Sequence, residues 1–303
     1  MKQTQPASPT AARTLTSQAV VAQPRFPQEL LDLFIDNLAP HKPGLRACAL
    51  VSRDVSLRAR RHLFSTISLG WSEQHLTDAA QKLRAHALIE IIDSDENILP
   101  FVQVLEMQID HVRFGSTTDY ESGLPSILTI MYSHPRSKLH TFRLIGPLYQ
   151  EHAWSHLDFA FKSALCNLCM SGSLSTLCIS DLKDIPLLLL AKSHANLLHL
   201  ELKKVSFQDI GWVVELNTGR NPSPQLQTLV ADESLRHIDV APHELNNSHN
   251  NNSPGDRNKS AFASSFCTRL EEIHFPRMYK PEEEDMYWQV MSSASTKLRR
   301  LTL

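Results

Sequence analysis

A short apolar pattern recurs along most of this 303-residue chain, and it restricts the fold more than any other feature. The pattern places aliphatic or aromatic residues at positions i, i+3 and i+5. Alternation over its second half predicts a short strand with one apolar face. The matches are Phe64/Ile67/Leu69, Val102/Leu105/Met107, Leu139/Phe142/Leu144, Leu174/Leu177/Ile179, Leu197/Leu200/Leu202, Leu270/Ile273/Phe275 and Leu298/Leu301/Leu303, with Leu226/Leu229 as a partial match that ends in Ala231 and Leu235/Ile238/Val240 after it.

The matches return at intervals typical of a repeat protein. They begin 38, 37, 35 and 23 residues apart, then 73 residues apart across the partial match, and then 28. Leucine supplies 43 of the 303 residues, so single matches also arise by chance. The interpretation therefore depends on the sequence between the matches.

Stretches with helical periodicity follow several of the predicted strands. One apolar face spans 154–168 and another 210–214, and Pro281 with four acidic residues after it indicates a third helix start. Alternating strands and helices predict an α+β or α/β solenoid over residues 64–303, which resembles an irregular leucine-rich-repeat region. Residues 241–260 are rich in asparagine and predict a flexible surface loop.

In a repeat of this type, side chains between the inward apolar positions line the concave face of the sheet. Mixed polarity and charge on that face suit a protein target better than DNA or a small molecule. Ordinary solvated sheet surface is the alternative for each residue. The candidate target-binding residues are Arg143, Cys178, His199, Glu201, His274 and Arg300.

A compact helical block is predicted before the repeats, over residues 24–63, after a polar leader (1–23) that we expect to be disordered. Apolar residues at helical spacing indicate a first helix after Pro27. Pro40, Pro43 and Gly44 break the chain, and two further short helices follow. About 40 residues can bury only a small core, so such a block needs support from the rest of the chain or from another protein.

The block resembles an F-box of the kind common in fungal proteins. The residues that support the resemblance are the opening Phe26-Pro27-Gln28-Glu29-Leu30, the aliphatic helix after it, and the run from Leu45 to Arg53 that contains Leu50-Val51-Ser52. The chain has Val55 where the family usually has tryptophan.

The resemblance implies docking on the Skp-type linker subunit of a cullin–RING ubiquitin ligase. By position in the motif, five residues would present apolar surface to the linker: Phe26, Pro27, Leu30, Leu31 and Ile35. Four more would be shared between the block's core and that interface: Leu38, Leu45, Cys48 and Val51. The alternative is that these residues form only the core of a three-helix unit.

Composition argues against several other classes of protein. The chain has 9 glycines, with no cluster that could form a phosphate-binding loop, and its net charge of -2 gives no field that attracts nucleic acid. No apolar run is long enough to span a membrane. Five cysteines on a chain without a signal peptide favour reduced thiols in the cytoplasm or nucleus.

Motifs that could support chemistry are weak. His152 and His156 lie four residues apart, but Ala153 stands where zinc proteases have glutamate. Cys166 and Cys169 form a lone CxxC in an apolar stretch, which favours buried free thiols. We therefore predict no catalytic residues, no metal and no cofactor.

The sequence thus predicts a substrate-recognition adaptor rather than an enzyme, with a linker subunit and an unidentified protein target as partners and no contact with nucleic acid or membrane. The alternative is a leucine-rich-repeat scaffold without a ligase role. Because the chain stops at Leu303, inside the last predicted strand, we expect either a truncated repeat or an exposed edge strand.

Overall fold

The computed structural model of the chain describes residues 26–70, 78–109, 120–146, 154–186, 189–190, 193, 196–208, 226–231, 270–274 and 298–302. The predicted leader (1–23), the asparagine-rich loop (241–260) and the predicted helices near 210 and 281 lie outside these residues. Within them, no helix combines the length and the apolar character that crossing a bilayer requires.

Three short helices form the N-terminal block: α1 (Gln28–Asn37), α2 (Lys42–Cys48) and α3 (Arg53–Ser65). The Ser52 hydroxyl caps α3 by accepting a hydrogen bond from the amide of Val55. Ile35, Leu45 and Ala59, one from each helix, form a small core of the block's own. Residues 26–65 are called the helical block below.

Helices and strands alternate after the block. The strands are β1 (Thr66–Leu69), β2 (Val104–Gln108), β3 (Thr141–Ile145), β4 (Thr176–Ser180), β5 (Ile185–Pro186), β6 (His199–Lys203), β7 (Phe207–Gln208), β8 (Thr228–Ala231), β9 (Glu272–His274) and β10 (Arg300–Thr302). The helices α4 (Asp78–Ser94), α5 (Tyr120–Ser133) and α6 (Phe159–Cys169) join the first four strands, and 3-10 turns cover Glu96–Phe101 and Trp154–His156.

Eight of the described strands form one parallel sheet in the order β1-β2-β3-β4-β6-β8-β9-β10. Each strand therefore pairs with the next one along the chain, apart from β5 and β7, which pair with each other. The register repeats from pair to pair, as Val104 faces Thr141 and Thr141 faces Thr176. The predicted strands of the matches that begin at 64, 102, 139, 174, 197, 226, 270 and 298 are confirmed, while the match Leu235/Ile238/Val240 lies outside the described residues.

One face of the sheet is buried beneath the helices. Alternate strand residues from β1 to β9 enter one continuous core together with the inner sides of α4, α5 and α6. Leu105, Phe142, Leu177, Leu200 and Leu229 follow one another across neighbouring strands and expose almost no surface. The apolar positions of the sequence pattern are therefore this core.

The first residues of the predicted helix over 154–168 form a separate turn. Trp154 is buried in the 3-10 turn Trp154–His156, and α6 begins only at Phe159, where Asp158 accepts a hydrogen bond from the Ala160 amide. A capping aspartate at this place starts a new helix and ends the apolar periodicity that the sequence suggested.

The helical block joins the sheet without a connecting segment. Helix α3 ends at Ser65 and strand β1 begins at Thr66. The Arg60 guanidinium also lies 3.3 Å from the Asp95 carboxylate, at the turn that precedes β2. Side chains of α3 thus contact the first repeat directly.

Candidate interaction surfaces

The second face of the sheet remains partly open to solvent. Two of the rows of side chains that cross it are together called the open face. The central row is Ser68, Glu106, Arg143, Cys178, Glu201, Val230, His274 and Thr302, and the first row is Thr66, Val104, Thr141, Thr176, His199, Thr228, Glu272 and Arg300.

All six candidate target-binding residues lie on the open face. Arg143, Cys178, Glu201 and His274 belong to the central row, and His199 and Arg300 belong to the first row. The structure thus brings together residues that are up to 157 positions apart in the chain (143 to 300). Because alternate side chains of a strand lie on opposite faces of a sheet, the apolar positions in the sequence were sufficient to place these six residues on one face.

A series of polar side-chain contacts follows the central row. The Ser68 hydroxyl donates a hydrogen bond to Glu106, and the Arg143 guanidinium lies 3.6 Å from the same carboxylate. Beyond Arg143, the Cys178 thiol interacts with Glu201. The Glu201 carboxylate is also paired with Lys203 on its own strand. These contacts connect five neighbouring strands, β1, β2, β3, β4 and β6, at their surface.

The Cys178 thiol, which belongs to this series of contacts, is a weak acid. Burial raises the pKa of Cys178 to about 11, and the negative charge of Glu201 adds to the effect. For Glu201, burial acts to raise the pKa, but hydrogen bonds from Lys203 and Cys178 outweigh it and leave the pKa below its usual value. The site therefore holds a carboxylate and a neutral thiol near pH 7, and no activated nucleophile.

A second ion-pair cluster lies at the far side of the open face. The Glu272 carboxylate is 3.4 Å from the Arg300 guanidinium and 3.5 Å from the His274 ring. Glu272 and Arg300 face each other on neighbouring strands, as Glu106 and Arg143 do at the other side. Directly opposed residues of opposite charge are favourable pairs in a sheet.

The helical block exposes an unusual amount of apolar side chain. Leu50 is 89% exposed, and Phe26 and Val51 expose about three quarters of their surface. Seven of the ten large apolar residues that are exposed in the described part of the chain belong to this block: Phe26, Leu30, Leu33, Phe34, Leu50, Val51 and Leu57.

The predicted linker-binding residues divide into three groups. Phe26, Pro27, Leu30 and Val51 are exposed, and Leu31, Leu38 and Cys48 are half-buried. Ile35 and Leu45 are each only 1% exposed, because they pack on Ala59 in the core of the block. The expectation that Ile35 presents surface to a partner, and that Leu45 shares such a surface, is wrong.

Leu33, Phe34, Leu50 and Leu57 are exposed residues that the sequence reasoning did not assign to a surface. A signal for two of them was present, since α1 has apolar residues at 30, 31, 33, 34 and 35, more than one helix face can hold. Ala49, Leu50, Leu57 and neighbouring polar residues also line a shallow groove between α3 and the turn that follows α2.

Charged residues also link two helices of the block through their side chains. The Asp36 carboxylate accepts hydrogen bonds from Arg58, at 2.6 and 2.8 Å, and lies 2.7 Å from the His62 ring. These contacts hold the pKa of Asp36 well below its usual value, with the Arg58 hydrogen bond as the largest cause and His62 next. Arg58 and His62 thus link α3 to α1.

The CxxC pair and the two histidines that the sequence analysis discounted are only partly within the described residues. Cys166 and Cys169 are buried in α6, and burial raises the pKa of the Cys169 thiol. The His156 side chain is exposed at the end of the 3-10 turn Trp154–His156, while His152 is outside the described residues. Within the part of the chain that the structure describes, no three His, Cys, Asp or Glu side chains are grouped as metal ligands.

Comparisons with protein-family models, with curated proteins and with solved structures found no match for this chain.

Proposed function

We propose that the chain is a substrate-recognition adaptor of a cullin–RING ubiquitin ligase. The helical block docks on the Skp-type linker subunit, and the open face binds the protein target. The observation that most supports this is the concentration of exposed apolar side chains on a block of about 40 residues. A surface of this kind is costly in water and becomes favourable when a partner covers it, at about 25 cal/mol for each Å² of apolar area.

The arrangement of the block supports docking through its outer side. The fully buried residues of its small core are Ile35, Leu45 and Ala59. Phe26, which precedes the first helix, and Leu30 and Phe34 within that helix are exposed. Helix α1 is thus apolar on two sides, one for α2 and α3 and one without a partner in the described part of the chain. A linker subunit with an apolar groove is the partner that the F-box resemblance implies.

The second half of the proposal concerns the sheet. Strictly sequential parallel strands support a leucine-rich-repeat-like solenoid in residues 64–303. Parallel sheets usually have both faces covered, whereas the open face here presents a mostly polar surface that includes Val104 and Val230. In the proposal this surface holds the target, and the transfer chemistry belongs to other subunits. The contribution of this chain is then proximity and orientation.

Capture of the chain by an immobilised, purified Skp-type linker subunit tests the proposal. We expect binding of the full chain, and at least about a tenfold weaker affinity for Leu30→Asp, because a charge at a buried interface position costs more than 1.4 kcal/mol. Leu83→Asp is the matched control, since Leu83 is also exposed but lies on α4, outside the block. Equal binding by both variants would place the interface elsewhere.

A protein-interaction scaffold without a ligase role is the second candidate, and one residue favours it. Val55, which stands where the F-box family usually has tryptophan, packs half-buried against the Ile35–Leu45–Ala59 core. The smaller side chain gives that core less apolar contact. If the wild-type chain fails to bind the linker while Val55→Trp binds, the scaffold is the better description of the natural protein.

A further inference from the structure

The open face offers more hydrogen-bond donors to a partner than acceptors. Its three strand glutamates are each contacted twice: Glu106 by Ser68 and Arg143, Glu201 by Cys178 and Lys203, and Glu272 by His274 and Arg300. Each carboxylate thus has part of its acceptor capacity occupied by groups of the sheet itself. A guanidinium has five N–H donors, and one carboxylate engages at most two of them.

The exposed fractions of the arginine and glutamate side chains also favour the positive groups. Arg143 and Arg300 expose 51% and 65% of their side chains, whereas their partners Glu106 and Glu272 expose 29% and 36%. In each pair the carboxylate lies nearer the sheet and the cation projects from it. A partner that approaches the open face therefore meets positive groups before it meets negative ones.

We propose that the open face recognises an acidic, extended segment of a protein target through Arg143 and Arg300. The inference rests on the proposed function, because it assigns a chemistry to the target-binding surface. Carboxylates of the segment complete the coordination of guanidinium groups that are already fixed by Glu106 and Glu272. Fixing the arginines in advance lowers the entropy lost on binding.

The geometry sets the length of the segment. Arg143 lies on β3 and Arg300 on β10, with β4, β6, β8 and β9 between them. At about 4.8 Å for each of five strand spacings, the two strands are about 24 Å apart along the sheet, which about seven residues of extended chain cover. The segment therefore needs two acidic positions about seven residues apart.

Fluorescence anisotropy with labelled peptides tests the inference on the full chain. The probes are three peptides of about ten residues: one alternates glutamate and serine, one alternates lysine and serine, and one contains phosphoserine in place of glutamate. We expect the glutamate peptide to bind about tenfold or more tightly than the lysine peptide at low salt, with affinity falling as salt rises.

Two double variants with the same change in net charge distinguish a site from a general charge effect. Arg143→Glu with Arg300→Glu should weaken binding of the glutamate peptide by about tenfold or more. Arg61→Glu with Arg84→Glu, on exposed positions of α3 and α4, should leave it unchanged. Arg143→Gln with Arg300→Gln removes the two positive charges without introducing repulsion, and it should weaken binding of the glutamate peptide by an intermediate factor. This variant replaces the charge-reversed one as the test if the charge-reversed one does not fold.

Three results would overturn the inference: equal affinity for the glutamate and lysine peptides, equal losses in the two charge-reversed variants, or binding of the phosphoserine peptide without binding of the glutamate peptide. The linker capture experiment separates this inference from the adaptor function. Linker binding without acidic preference refutes only the acidic segment, and acidic preference without linker binding refutes only the ligase role.

Discussion

Asp36 of α1 and Arg58 of α3 form a two-point ion pair, with the Arg58 Nε and Nη2 atoms 2.8 and 2.6 Å from the two carboxylate oxygens. The pair connects the first and third helices of a block whose core is small. It therefore makes the stability of the block depend on pH.

We expect Asp36→Asn to destabilise the chain more at neutral pH than in acid. The folded-state pKa of Asp36 is lowered from its ordinary value of 3.8. The stabilisation is therefore present above that value and is lost as pH falls towards the folded-state pKa. Urea unfolding of both proteins should show a free-energy difference that shrinks from about pH 5 to about pH 2.

A double-mutant cycle provides the control for this prediction. In an Arg58→Ala background the carboxylate loses its main partner, so the pH dependence of the Asp36→Asn difference should become much weaker. A difference that stays constant across the acid range in the wild-type background would show that the ion pair contributes nothing.

Ile35→Ala and Leu30→Ala should separate stability from partner binding. Ile35 is buried in the core of the block, and we expect its truncation to cost about 2–5 kcal/mol of unfolding free energy. Leu30 is exposed, so its truncation should change stability by less than about 0.5 kcal/mol while it weakens linker capture. Chemical denaturation of the two variants checks the first effect. A large stability loss in Leu30→Ala would mean that this side chain already has a partner within the chain.

Gly146→Ala should destabilise the sheet between β3 and β4. A methyl group at this position would overlap the backbone carbonyl of Asp181, and the Gly146 amide already donates a hydrogen bond to Ser180. The backbone must shift to relieve the overlap, which we expect to cost about 1–3 kcal/mol.

Gly123→Ala is the matched control for this change. The added methyl would lie 3.3 Å from the Ala85 side chain, and alanine is the better helix former. Thermal unfolding should therefore show a clearly smaller effect than for Gly146→Ala. Similar losses in the two variants would argue against the close approach of Gly146 to Asp181.

Cys178 should react slowly with iodoacetamide. With a pKa raised to about 11 from 9.0, its thiolate fraction at pH 8 is about a hundredfold below that of an ordinary thiol. We expect Glu201→Gln to speed the reaction, because it removes a neighbouring negative charge while burial remains. Mass spectrometry of the peptide that contains Cys178 measures both rates, and a rate that levels off near pH 9 would contradict the prediction.

The strands could be predicted from the sequence because two simple rules apply together. In a sequential parallel sheet every strand has the same inward parity, so Leu105, Phe142 and Leu177 follow one pattern. The same parity placed Arg143, Cys178 and Glu201 on the open face. Their mutual contacts could not be predicted, since these depend on register between residues that are distant in the chain.

The helical block was harder to divide into core and surface. Ile35 and Phe34 are adjacent and both apolar, yet one is buried and the other exposed. The direction of α1 relative to α2 and α3 decides which side chain points inward, and a ten-residue helix with apolar residues on two sides does not indicate that direction. The helix start after Asp158 was missed for a similar reason, because apolar residues continue through the turn before it.

The direct passage from Ser65 of α3 to Thr66 of β1 has a mechanical consequence. A helix that continues into a strand, with Arg60 held by Asp95 beside the junction, acts as a stiff arm and not as a hinge. Whatever is held at one end then has a fixed distance and direction from the other end. In an adaptor, such an arm would select which lysines of a captured protein come within reach.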